Sequence, residues 1–304
     1  ESESLNELCD SISDVMSSYN FTFEVILIDD GSTDESWGVI QKLSNKSAKI
    51  KGIKFQKNYG KSQALHAGFL SCQGDVVFTM DADLQDDPKE IPEMYDMIIN
   101  DGFDLVSGWK KKRYDSVLFK NIPSKIFNFA ARITSGIKLN DFNCGLKAFK
   151  KEVVKSINVY GEMHRYVPIL AKNEGYKKIG EKIVKHRARK FGKTKFGPSR
   201  FLNGFLDLLT IWFISSFGKK PMHLFGSLGL IMLLTGFLFA GFLGYDKLFL
   251  NPDSRLITER PEFYISLTTM IIGSQFFSMG FIAELILKNT NQKPNYIIQT
   301  KTNL

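Results

Sequence analysis

The chain has 304 residues, a formal net charge of +8 and three cysteines. Its length suits one large domain or two modest ones, and the odd, widely separated Cys9, Cys72 and Cys144 form neither a zinc spacing nor a disulfide framework, which points to a reducing compartment. The positive balance fits anionic lipid or phosphorylated substrates, and a nucleic-acid binder is disfavoured because no reading motif accompanies the charge.

No signal-peptide pattern opens the chain. It begins at Glu1 and reads as starting inside a longer gene product. Apolar positions Leu5, Leu8, Ile12, Val15 and Met16 predict a helix over Leu5–Tyr19. The β-branched and aromatic run Phe23–Ile28 predicts a buried strand that ends in Asp29-Asp30-Gly31. Ser32 and Glu35 have capping-box spacing and open a helix to about Leu43. Ile50–Phe55 reads as a second strand and Ser62–Cys72 as a helix. A third strand, Asp75–Met80, ends in Asp81-Ala82-Asp83, after which Asp87 and Pro88 have N-cap and first-turn chemistry for a helix to about Asn100. Leu105–Ser107 is the core of a fourth strand. This alternation predicts an α/β fold with an open, mostly parallel sheet, in which ligands bind beyond the carboxyl ends of the strands.

Two acidic clusters stand at such ends. In an extended segment, Asp81, Asp83 and Gln85 of Asp81-Ala82-Asp83-Leu84-Gln85 fall on one side. Two carboxylates and an amide oxygen are hard ligands for Mg2+ or Mn2+, whose remaining positions a substrate diphosphate can fill. The bland alternative, an acidic loop capping the next helix, is satisfied by Asp87 alone. In Asp29–Asp34 (DDGSTD) a carboxylate can accept hydrogen bonds from a nucleobase or ribose, although turn and N-cap chemistry also explains this run.

Further on, Leu224–Leu243 and Phe263–Ala283 are twenty and twenty-one uncharged residues, each about 30 Å long as a helix and able to cross a bilayer. Lys219, Lys220, Lys288 and Lys293 flank them, so the positive-inside rule favours both termini inside and the loop outside. Between the domain and the first span, Arg200, Asn203, Asp207 and Thr210 form one polar stripe on an apolar helix over Ser199–Phe217, the pattern of a helix lying in the membrane interface. The polar tail after Asn291 is expected to be poorly ordered. The expected organisation is a cytosolic domain over 1–197, an amphipathic interfacial region over 198–220, a transmembrane hairpin over 221–287 and a tail over 288–304.

Taken together, Asp29–Asp34 (DDGSTD), Lys57–Lys61 (KNYGK), Asp81–Pro88 (DADLQDDP), Asn140–Phe149 (NDFNCGLKAF) and Arg189–Gly197 (RKFGKTKFG) resemble the family-2 inverting glycosyltransferases with a GT-A fold. More narrowly, they resemble the polyprenyl-phosphate sugar synthases of the dolichol-phosphate mannose synthase type. The resemblance covers essentially the whole chain, and the two-span C-terminus is similar to that of bacterial members acting on undecaprenyl phosphate. It implies that Asp29 and Asp30 hold the nucleoside, Asp81 lies near the ribose or the metal, and Asp83 and Gln85 bind the metal. Family members begin with a strand and a turn that contacts the base, and Glu1 stands where that turn ends. By family position, Lys110 or Arg113, Lys125, and Arg189 with Lys193 or Lys195 are the cations for the diphosphate and the lipid phosphate. Lys125 stands where the family often has Arg, and the run Lys110–Arg113 also reads as a solvated charge patch.

The expected reaction is attack by a polyprenyl phosphate oxygen on the anomeric carbon of a UDP- or GDP-sugar, with inversion, at the cytosolic face of the inner membrane. That acceptor is already an anion, so no general base is required. Where relatives that act on hydroxyls carry one, this chain has Gly161-Glu162-Met163-His164-Arg165. One rival is a membrane glycosyltransferase acting on a sugar or protein hydroxyl, which predicts an added base and more spans. Another is a non-enzymatic nucleotide-sugar-binding membrane module, which predicts no turnover. The sugar is not legible, and a homo-oligomer is left open.

Overall fold

The computed structural model describes residues 2–111, 128–129, 131–133, 135–161, 163–187, 213, 217, 220–289 and 298–303. The chain divides into two compact units, residues 1–212 with 294–304, and residues 213–293.

In the first unit the expected elements form in order. Helix α1 (Leu5–Ser18) leads to β1 (Val25–Asp29), α2 (Ser36–Lys46), β2 (Ile50–Phe55), α3 (Lys61–Ser71), β3 (Val76–Thr79), α4 (Ile91–Ile99) and β4 (Leu105–Trp109). The helix start at Asp87 is as its chemistry predicts: its Oδ1 accepts from the Lys89 amide at 3.1 Å and Pro88 opens a short 3-10 turn before α4. The capping box at Ser32 and Glu35 does not form. Asp34, two residues before α2, takes that work instead, its Oδ1 accepting from the Ser36 amide at 3.0 Å.

The sheet differs from the expectation. Three strands lie in the order β1-β2-β7 and four in the order β3-β5-β4-β6, where β5 is Lys147–Lys150, β6 is Ile179–Ile183 and β7 is Ile298–Thr302. Among the described residues, β1 with β2 and β4 with β6 run parallel, and the other three pairings are antiparallel. The arrangement is therefore mixed rather than mostly parallel. The alternation of strand and helix ends near residue 107, and the later strands enter from outside it. The tail is likewise not without order: Ile298–Thr302 closes the edge of β2, with Gly52 facing Thr302.

Strand β5 does the most to build the site. It lies between β3 and β4, antiparallel to both, with Thr79 and Ser107 each opposite Lys147. Phe149, Leu105 and Val106 are buried along this seam, and Met94 and Ile98 of α4 cover it. Both faces of this seam are covered, so a one-residue shift would exchange side chains between two packed faces and misfit each. The segment Cys144-Gly145-Leu146 is thereby delivered to the carboxyl end of β3. Parallel β6 then returns the chain beside β4, and His186 bridges to Asp86.

The second unit contains two long helices, Pro221–Tyr245, extended by a π-helical turn over Asp246–Leu250, and Pro261–Asn289. Both are long and apolar enough to cross a membrane, and only 17% and 11% of their apolar windows are buried. A soluble core helix would be mostly covered, whereas Ile231, Leu238, Ile265 and Ile282 are exposed. The pair is joined through small residues. A Cβ on Gly229 would lie 2.6 Å from the Gly273 carbonyl oxygen, and one on Gly236 would lie 2.9 Å from that of Ser266. The Ser266 hydroxyl donates to the Gly236 carbonyl at 2.6 Å. Ser266, Gly273 and Gly280 are seven residues apart, so they line one face, as small-residue contacts between membrane helices do. The interfacial helix expected over 199–217 falls almost wholly outside the described residues.

Candidate active site

The end of β1 and the start of α3 make the first wall. Asp29 is buried; its Oδ1 accepts from the Ser32 amide at 2.7 Å, and its Oδ2 is buried with no hydrogen-bond partner among the described residues. An orphaned buried carboxylate oxygen is costly unless a ligand supplies the donor. Asp30 is differently occupied, accepting from the Tyr59 and Gly60 amides at 2.7 and 2.9 Å. Burial pushes its carboxyl up, the two amides pull against this, and neighbouring Asp29 adds to the rise. Gly31 is required between these loops. Its φ is +70°, and a Cβ there would lie 2.4 Å from the Lys57 carbonyl carbon. Asp30 and Gly31 thus lock DDG onto KNYG, which opens α3 at Lys61.

The second wall is the turn after β3. The expectation of an extended Asp81–Gln85 fails, because Ala82 and Asp83 form a turn and Leu84 adopts φ +61°. Alternation therefore does not align the three side chains; the turn links Asp83 to Gln85 through the Gln85 amide instead. Asp83 is buried, and its Oδ1 accepts from the Gln85 amide at 3.2 Å. Asp81 has a 39% exposed side chain, and its Oδ1 receives the Lys61 ammonium at 2.5 Å. Desolvation raises its carboxyl, but Lys61, Lys110 and Lys147 together hold it below the usual carboxylate value. The carboxylate lies over Gly145, where a Cβ would meet its Oδ2 at 2.6 Å.

Lys147 and His164 complete the floor. Lys147 is buried, and its ammonium donates to the Cys144 carbonyl. Burial pushes that ammonium down, Lys61 adds to the fall, and Cys144, Asp141 and Asp81 oppose it. Burial, with the positive charges of Lys61, Arg165 and Lys147, drives the His164 imidazole down to about 3, so it is neutral at physiological pH. Its amide donates to the Ser62 hydroxyl at 2.9 Å, and its Nδ1 stands 3.3 Å from the same oxygen. The Cys144 thiol is pushed up to about 12 by burial and by Asp86, and is inert as a nucleophile.

Three cations brace the turn from behind. Lys110 pairs with buried Asp86 at 2.7 Å, Arg187 with Asp87 at 2.6 Å, and Lys182 with Glu90 at 2.5 Å. Lys110, expected to face phosphate, is thus engaged in an ion pair that is 11% exposed on the lysine side and fully covered on the aspartate side. Glu181 of β6 similarly pins the NDFN loop by accepting from the amides of Asn140 and Asp141 at 2.7 and 3.0 Å.

Of the residues expected at the site, Asp81, Asp83 and Gln85 share one turn, Asp29 ends the neighbouring wall, and Asp30 and Lys110 support these loops. Glu1, Arg113, Lys125, Arg189, Lys193 and Lys195 lie outside the described residues, as does Glu162. Sequence reasoning gave no role to Lys61, Lys147, Gly145 or Arg187. For Lys61, Gly145 and Lys147 the signal was present, since all three stand inside the runs KNYGK and NCGLKAF. Among the described residues no three carboxylate, thiolate or imidazole groups converge on an ion site. A cation at the Asp81–Gln85 turn therefore takes at most two side-chain charges from the described residues. That donor set fits Mg2+ or Mn2+, which bind through one or two carboxylates and complete their shell with substrate phosphates.

Comparison with known proteins gives a consistent picture. Residues 1–157 match glycosyl transferase family 2. A dodecaprenyl-phosphate galacturonate synthase of Rhizobium johnstonii is 34% identical, over 98% of this chain and 89% of that protein. An undecaprenyl-phosphate 4-deoxy-4-formamido-L-arabinose transferase of Pseudomonas syringae pv. syringae is 31% identical, over 98% and 87%. Among solved structures, mannosyl-3-phosphoglycerate synthase from Rubrobacter xylanophilus superposes with a TM-score of 0.56 at 13% identity, covering 71% of each chain. Glucosyl-3-phosphoglycerate synthase from Mycobacterium tuberculosis, in complex with Mn2+, UDP-glucose and glycerol 3-phosphate, gives 0.50 at 19% identity, over 71% of this chain and 76% of that one. At such identities the structural likeness concerns the fold alone.

Proposed function

This chain belongs to glycosyl transferase family 2, and we propose that it moves a sugar from a nucleotide-sugar donor to the phosphate of a polyprenyl phosphate, with inversion at the anomeric carbon. The observation that carries this reading is the 34% identity across 98% of the chain, apolar helices included, to a transferase named for a dodecaprenyl-phosphate product. The acceptor chemistry agrees with the site. A phosphate monoester is anionic at neutral pH and needs no deprotonation, and the imidazole at the cluster, His164, is a poor base at a pKa of about 3.

In this account the orphaned Oδ2 of Asp29 accepts from the donor's base or ribose. Asp30 acts through the KNYG loop that it holds rather than by touching the nucleoside. Asp81, Asp83 and Gln85 hold a divalent cation, Mg2+ or Mn2+, which when bound offsets the charge of the departing diphosphate. Lys110, Arg187 and Lys182 keep the acidic turn in place by neutralising the three carboxylates behind it. Arg113, Lys125, Arg189, Lys193 and Lys195 remain the cations assigned to donor diphosphate and acceptor phosphate. The apolar helices keep the enzyme where a lipid phosphate diffuses. We place the chain in the inner membrane, with residues 1–197 as the cytosolic catalytic domain, 198–220 at the interface and 221–287 as the spanning hairpin.

The test is a panel of radiolabelled UDP- and GDP-sugars, each incubated with the membrane-embedded chain, a divalent cation and undecaprenyl phosphate. One sugar is expected to carry label into the organic-solvent phase, and chelator is expected to stop it. Label appearing only in polysaccharide or protein would replace the lipid phosphate with a hydroxyl acceptor.

A further inference from the structure

The Lys61–Asp81 contact has a consequence for how the site is loaded. It rests on the reading that a divalent cation is held at Asp81 and Asp83. Asp81 has two oxygens, and they are not equally open. Oδ2 lies against Gly145, so closely that a methyl group there would stand 2.6 Å away. Oδ1 carries the Lys61 ammonium at 2.5 Å. A divalent ion that bonds Asp81 approaches the side where the ammonium already sits. Two cations of combined charge three on one carboxylate repel strongly at such separation.

We propose that Lys61 is a placeholder cation: it neutralises Asp81 before the donor arrives and must release that carboxylate for the divalent ion to bind. The geometry allows the release. Lys61 is the first residue of α3, its side chain is 43% exposed, and its four-carbon stem carries a point charge without the fixed fork of arginine. Among the described residues, the ammonium's hydrogen bond is to Asp81. Once displaced, it stands at the mouth of the same turn, where the donor's diphosphate brings negative charge. The exchange keeps Asp81 balanced at every stage, so a buried wall containing Lys147 and Asp83 never faces an uncompensated charge.

The proposal separates metal binding from folding. In the full-length chain in detergent, free Mn2+ is measured by its electron paramagnetic resonance signal during titration with Mn2+ alone. Lys61→Met is expected to tighten Mn2+ binding by about fivefold or more, the scale of an ordinary coupling between two sites. Lys61→Arg keeps the charge and is expected to stay near the parent value. Asp83→Asn is expected to abolish binding. Unchanged or weaker binding in Lys61→Met, with binding still lost in Asp83→Asn, would overturn the placeholder and leave the metal assignment standing. Binding that is absent in the parent chain, or that survives Asp83→Asn, would remove the metal assignment and the placeholder with it.

Discussion

The acidic turn and the helix hairpin solve opposite problems. At the turn, charged groups are brought into a half-dry wall, and each is matched by a specific partner: Asp81 by Lys61, Asp86 by Lys110, Asp87 by Arg187. In the hairpin the contact is made by removing side chains, so that backbones meet at Gly229, Gly236 and Gly273. The first region is specific because an unpaired charge is expensive there. The second is tight because hydrocarbon offers no hydrophobic reward for burial, and close van der Waals contact is what remains. Glycine is indispensable in both, but at Gly145 it makes room for the Asp81 carboxylate, whereas at Gly273 it makes room for the facing helix backbone.

Substitutions can break this contrast. The largest effect is expected for Asp83→Ala, which should lower turnover by about 10²–10³-fold, the scale of losing a group that stabilises transition-state charge. A melting temperature of the full chain in detergent within a few degrees of the parent checks that the fold survives. Gly145→Ala comes next. Its methyl must push Asp81 off its seat, so turnover should fall by about tenfold or more while the protein stays folded, since a misplacement of about 1 Å can cost that much. Gly273→Leu reverses the pattern. It forces the helices apart and should lower stability in detergent by about 1–3 kcal/mol, the usual cost of overpacking, with turnover per folded molecule little changed.

The smallest effect is a pH dependence. His164 titrates near 3 in the folded chain against 6.5 as its ordinary value. Its folded pKa is depressed, so the neutral form is the one the fold favours. This contribution is full above pH 6.5 and is lost as pH falls from there toward 3, because the unfolded chain takes up a proton that the native chain refuses. Between pH 7 and pH 5, His164→Gln should therefore lose about 1–2 kcal/mol less stability than the parent, as read from denaturant midpoints at the two pH values. Equal losses would show that the ring is not excluded from water.

What was legible in the sequence follows from the same contrast. Composition alone marks the hairpin, because twenty uncharged residues announce themselves locally. The acidic motifs are legible too, since DDGSTD and DADLQDDP are contiguous and end strands. Their partners are not. Lys147 reaches the turn because β5 inserts antiparallel between β3 and β4, and His164 reaches Ser62 across 102 residues. No local periodicity encodes such pairings. The expectation of an extended DADLQ failed at the turn of Ala82 and Asp83 and at Leu84, whose positive φ is unfavourable for a branched side chain and so is not inferred from type. Of Lys110 and Arg113, the alternatives for phosphate by family position, Lys110 is claimed by the fully covered carboxylate of Asp86.

The most direct measurement concerns the bond that is made. Purified chain, nucleotide sugar, divalent cation and undecaprenyl phosphate are incubated, and both products are weighed by mass spectrometry. The account predicts a lipid carrying one phosphate and one sugar, formed in equal amount with a nucleoside diphosphate. A lipid carrying two phosphates together with nucleoside monophosphate, or sugar transferred equally well to the unphosphorylated alcohol, would contradict it.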